Sequence, residues 1–176
     1  MSTTTEVAPA RKPWRLGTNG RRVVLISHIA SAGAWLGVDV AMAVLIGAAK
    51  FSGDVQVRAS CLRVLGIVTV WPLLVCGLIC LASGVLLGLG SKWGLVKHWW
   101  VLTKLVLNLL LTALVVVALQ PEVAEQARRA SLILDGQSVA LDLSNLNYPP
   151  VVSPAALLFA TILSVVKPWG RVRKTK

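Results

Sequence analysis

The sequence predicts an all-α polytopic membrane protein with four transmembrane helices and an amphipathic helix in the outer loop between helices three and four. Its 176 residues are 56% hydrophobic with a mean hydropathy of +0.74, and only 14% are charged. Soluble domains carry about 25% charged residues, so an ordinary soluble fold is excluded. Long apolar runs recur along the chain, and at about 1.5 Å rise per residue about twenty such residues cross a hydrocarbon core of about 30 Å. The basic residues follow the same alternation. They gather at Arg11, Lys12, Arg15, Arg21 and Arg22, at Lys92 and Lys97, and from Lys167 through Arg171, Arg173, Lys174 and Lys176. These are the connections that face the cytoplasm if the N-terminus does, which is the positive-inside pattern. The net charge of +11, from 18 Lys and Arg against 7 Asp and Glu, is therefore explained by anionic lipid headgroups, and no nucleic-acid partner is expected.

Taken in order, residues 1–20 mix Thr, Pro, Gly and basic residues without an apolar period and are expected to be a disordered cytoplasmic tail. The apolar run that follows is too long for the core of a secretory signal and contains Asp39. The bundle should occupy 21–169. Its first helix, about 23–48, places His28, Ala32, Trp35 and Asp39 on one face at spacings of four, three and four. Gly33 and Gly37 form a small-xxx-small pair that would admit another backbone. A polar connection, Lys50 to Ser60, leads to the second helix, about 62–89, in which Trp71-Pro72 predicts a kink because proline lacks an N–H. Gly84 and Gly88 repeat the small-residue spacing near its inner end.

An inner hairpin rich in Gly, Lys and the tryptophans Trp93, Trp99 and Trp100 leads into the third helix, about 97–119, where Lys104 and Asn108 lie one turn apart. The outer loop, 120–150, opens with the Pro121–Leu134 amphipathic segment, whose Glu125 faces Arg128 and Arg129, and which is expected to lie on the membrane surface. The fourth helix, about 151–166, tolerates Pro154 in its first turn and ends at Lys167-Pro168-Trp169, and a basic cytoplasmic tail, 170–176, follows.

His28, Trp35, Gly37, Trp93-Gly94, Lys97-His98-Trp99-Trp100-Val101-Leu102 and Lys104-Leu105 together resemble a family of bacterial, often actinobacterial, four-helix integral membrane proteins. In that family the third helix opens with tryptophan-glycine, a histidine-aromatic-tryptophan-valine-leucine run and lysine-leucine. A narrower likeness, a histidine followed by an apolar stretch and Trp35-Leu36-Gly37, is similar to copper-resistance D-like and cytochrome b561-like membrane proteins. The resemblance implies a multi-pass protein of the bacterial inner membrane with both termini cytoplasmic. It brings no assigned activity and no catalytic residue.

Three functional classes remain. His28 and His98, the two histidines of the chain, begin on the same side of the membrane and are candidate axial ligands of a b-type haem. The leading expectation is instead that His28 joins Trp35, Asp39, Lys104 and Asn108 in a polar seam that fixes the helix arrangement of an accessory or assembly subunit without an evident catalytic site, acting through protein partners or as a homo-oligomer. The third class is proton or cation transport at Asp39, the only acid within any expected span. Cys61, Cys76 and Cys80 are too few for a disulfide framework and pack as small hydrophobes, so no metal site is expected of them. Hydrolytic catalysis has no support, because the chain carries no serine elbow, zinc motif or phosphate-binding glycine loop.

Overall fold

The computed structural model describes residues 17–91, 95, 98–167 and 170. The two tails, most of the Lys92–Lys97 hairpin and Pro168-Trp169 lie outside the described residues. The elements are α1 (Thr18–Phe51), α2 (Val55–Val68), α3 (Val70–Leu89), α4 (Trp99–Leu114), a π-helical turn (Val115–Leu119), α5 (Gln120–Leu134), a 3-10 turn (Asn145–Asn147) and α6 (Pro149–Val166). There is no strand among the described residues. Four segments are long and apolar enough to cross a membrane: Thr18–Phe51, Val55–Leu89, Trp99–Leu134 and Asn145–Val166.

The second of these is a broken rod. Asp54 caps α2, its Oδ1 accepting from Gln56 N–H at 2.8 Å, so the helix begins at Val55 and the connection from α1 shrinks to Ser52–Asp54. The polar run Val-Gln-Val-Arg-Ala-Ser at 55–60 hides this start from a hydropathy reading. Pro72 supplies the break. Without an N–H it cannot bond the carbonyl of Val68, and the helix is interrupted at Thr69, distorted to φ −102°, ψ −62° within the right-handed region, before α3 resumes. Pro121 acts at the other long rod. Its missing N–H falls where α4 gives way to α5, and the π turn absorbs the defect, with Gln120 N–H reaching back to Val115 O.

The three long rods, of 34, 35 and 36 residues, are each about 50 Å long, well beyond the hydrocarbon thickness of about 30 Å. The 18 residues of α6 span only about 27 Å. At one end, here the basic end, the start of α1, the end of α3, the start of α4 and the end of α6 come together, and Arg21, Ser91, Trp100 and Lys167 from these ends all border one cavity. The excess length therefore projects at the opposite end, the loop end. There α2 packs on both α1 and α5, with Ala59, Leu62, Leu65, Val123 and Ala130 buried. Charges concentrate in this head. Lys50 donates to Asn147 Oδ1 at 2.8 Å, Arg58 donates to Ala49 O at 3.0 Å, and Glu125 pairs with Arg128 at 2.9 Å and Arg129 at 2.7 Å.

The amphipathic segment is thus helical, but its buried side lies on α2 and not along the membrane surface. Gly66 is the physical reason: a Cβ there would come within 2.7 Å of Ala127 Cβ, so glycine lets the two helices touch. Gly33 and Gly37, by contrast, meet nothing within 4 Å, and the α1 face that carries them is exposed.

Candidate functional site

Asp39 is the fully buried acid of the bundle, 0% exposed. Ser153 Oγ donates to its Oδ2 at 2.7 Å and accepts the Trp35 indole N–H at 2.9 Å. A hydroxyl has one proton to give, so this chain has a fixed polarity, from indole to serine to carboxylate. The other carboxylate oxygen, Oδ1, has no hydrogen-bond partner among the described residues. A proton on this carboxyl therefore resides on Oδ1. Helical spacing of four stacks Trp35 and Asp39 on one face of α1, and Ser153 arrives from the second turn of α6. The indole is seated against α3 and α4: a Cβ at Gly77 would lie 2.6 Å from Trp35 Cζ3 and 2.7 Å from Thr112 Oγ1. Trp35, Asp39 and Ser153 border a cavity of about 460 Å³ that reaches Glu122 and Asn145 at the loop end.

A second cavity, about 420 Å³, opens at the basic end and is bordered by Arg21, His28, Cys80, Lys104, Asn108 and Lys167, among others. His28 Nδ1 lies 3.0 Å from Cys80 O and 3.0 Å from Ser83 Oγ. Ser83 donates its own proton to Ile79 O at 2.6 Å, so both neighbours of Nδ1 accept, and the network assigns the ring hydrogen to Nδ1 and the lone pair to Nε2. Lys104 Nζ donates to Ser164 Oγ at 2.9 Å and stands 4.7 Å from the centroid of the Trp100 ring. Asn108 Oδ1 accepts from Thr112 Oγ1 at a long 3.5 Å. Leu111 borders both cavities, and the adjacent residues Trp35 and Leu36 border one each.

The structure therefore divides the sequence-derived residues between two places. Trp35 and Asp39 meet at the loop-end cavity, whereas His28, Lys104 and Asn108 meet at the basic-end cavity. His98 is the N-cap residue immediately before α4. It is buried and does not border the cavity that His28 does. Among the described residues, no three His, Cys, Asp or Glu side chains cluster as a metal site.

The family described as "Predicted integral membrane protein (DUF2269)" matches residues 22–168. The chain belongs to this family. The match agrees with the resemblance carried by the first three spans and extends it through α6. No curated protein and no solved structure matches the chain. The family's description makes the protein an integral membrane protein and assigns it no activity, so chemistry has to be argued from the side chains. All the candidate residues, from His28 to Ser153, fall inside the range that the family covers. Sequence reasoning missed Ser153, Gly77 and Glu122. Ser153 sits in Pro-Pro-Val-Val-Ser-Pro, where a single hydroxyl among apolar residues was the available signal. Gly77 lacks a partner glycine four residues away and so carried no packing motif.

Proposed function

We propose that this protein is a cation-handling bundle of the bacterial plasma membrane, whose working group is the Asp39 carboxyl and which moves a proton or another monovalent cation. One observation carries this reading: a fully buried carboxyl inside a span, with one oxygen held by Ser153 and the other unpartnered, on the wall of a cavity. Burying such a group among apolar side chains costs several kcal/mol, which a purely structural role does not require. The second cavity, on the far side of Trp35 and Leu111, supplies an approach from the other end. The basic end is the cytoplasmic one in this reading. Among the described Lys and Arg, Lys50, Arg58, Arg63, Arg128 and Arg129 lie at the loop end, and the sequence adds its further basic residues in the segments that flank the other end of the spans, a bias that favours the cytoplasm there by the positive-inside rule.

The experiment is a flux assay on protein reconstituted in liposomes with a trapped pH-sensitive dye. The wild type should dissipate an imposed proton gradient, Asp39→Glu should retain most of that activity, and Asp39→Asn should lose at least tenfold. Equal flux in wild type and Asp39→Asn would overturn the reading. An accessory subunit that acts only through partners would give no flux in any of the three.

A further inference from the structure

Two of the seven acids of the chain, Asp39 and Glu122, border the loop-end cavity, and none of the described Lys and Arg does. In a chain of net charge +11 this segregation leaves one pocket acidic. The rest of its wall is mainly apolar or aromatic, including Met42, Leu73, Leu119 and the rings of Trp35 and Tyr148. Its size, about 460 Å³, is within the range of about 300–1,000 Å³ of small-molecule sites. A side opening is also present. Leu114 and Ala118 on one side, and Tyr148 and Val152 on the other, border the cavity while remaining exposed on the outside of the bundle, so the gap between the α4 rod and the start of α6 faces the bilayer.

We propose that this cavity is a binding site for an amphiphilic monoamine, protonated at one end and apolar in its body, which enters laterally from the bilayer. The ammonium group pairs with the Asp39 carboxyl, whose buried, unpartnered Oδ1 is reached by a shift of the side chains that now cover it, and the apolar body lies along the α4 and α6 walls, with Glu122 adding to the negative potential that favours the cation. The chemistry selects against the other occupants. A bare sodium or calcium ion needs several converging oxygen ligands, about six to eight for calcium, whereas the two carboxylates of this cavity do not belong to any cluster of three metal-ligating side chains among the described residues, and Glu122 is already engaged by Gln126 and Asn145. An anionic lipid headgroup meets two carboxylates and no cation. A neutral hydrophobe gains nothing from a buried carboxyl. Indole and phenol rings in the wall suit an organic cation, which both ring faces attract. The inference rests on the reading of Asp39 as the working carboxyl and names the class of cation it serves.

The test uses the full-length protein in phosphatidylcholine nanodiscs, with dansylcadaverine as a fluorescent primary amine and its N-acetyl derivative as the neutral counterpart. Energy transfer from protein tryptophan to the dansyl group reports binding. The amine should give saturable transfer in the wild type and bind at least tenfold more tightly than the N-acetyl compound, a comparison that needs no variant. Asp39→Asn should weaken amine binding at least tenfold, Asp39→Glu should keep it within about threefold, and Glu122→Gln should weaken it several-fold. Equal binding of amine and N-acetyl compound, or no saturable transfer from either, would overturn the amine site. Asp39-dependent proton flux without amine binding removes the site and leaves the proposed transport standing. Saturable, Asp39-dependent amine binding without flux keeps the site and removes transport.

Discussion

A single methyl group at position 77 would press on Trp35 Cζ3 at 2.6 Å and on Thr112 Oγ1 at 2.7 Å, so glycine there holds three helices in register around one indole. Gly77→Ala should cost about 1–3 kcal/mol through this overpacking and lower the midpoint of thermal unfolding followed by circular dichroism in detergent. An unchanged midpoint would mean that the seat of Trp35 is loose. In the loop, Ser144 N–H donates to Asp142 Oδ1 at 3.0 Å, and this bond to the charged form holds the carboxyl below its ordinary value. A depressed folded pKa stabilises the turn above the unfolded pKa of about 3.9 and loses that contribution on acidification. The Ser144 amide resonance should therefore shift below about pH 4 and stay constant from pH 5 to 8. The alignment of His28, Trp35 and Asp39 could be read from the sequence because helical spacing alone produces it. Their partners could not: Ser153 joins Asp39 across 114 positions, and no local pattern announces a contact so distant.

At the scale of elements, the head depends on the approach of α2 to α5. Gly66→Val should force Ala127 away from a contact that now leaves only 2.7 Å for a Cβ. The expected loss is about 1–3 kcal/mol, seen as faster proteolysis of the Asp135–Ser144 loop while the spans stay protected. Unaltered cleavage would overturn this account of the pairing. The amphipathic helix was legible as a helix from its period, but its placement was not, since an apolar stripe of Val123 and Ala130 suits a membrane surface or a neighbouring helix equally well. What decided it was a glycine on another element. The breaks at Thr69 and at Val115–Leu119 were legible in kind, because Pro72 and Pro121 each remove an N–H. The choice between an interruption and a π turn depended on packing that no local pattern encodes.

For the whole molecule, the expected four crossings rest on apolar length, a signal that needs no tertiary information. α1 begins at the basic end and α6 terminates there, so the described residues Thr18 and Lys167 share a side. With Cys61, Cys76 and Cys80 replaced, Thr18→Cys and Lys167→Cys should react with an impermeant maleimide from the same face of sealed vesicles, and Asp135→Cys from the other. Labelling of positions 18 and 167 from opposite faces would overturn the arrangement. The unequal lengths of the rods have an electrical consequence. α6, with its 18 residues, sets the width over which a transmembrane voltage falls, and Ser153 lies four residues, about 6 Å, beyond Pro149. Asp39, bonded to that serine, sits about one fifth of the way through the field. A cation that reaches it from the loop end does work of only about 0.5 kcal/mol per 100 mV, against about 1.8 kcal/mol per 100 mV for one from the basic end. Occupancy of the carboxyl from the loop end should thus be nearly indifferent to membrane potential, and any onward passage strongly dependent on it.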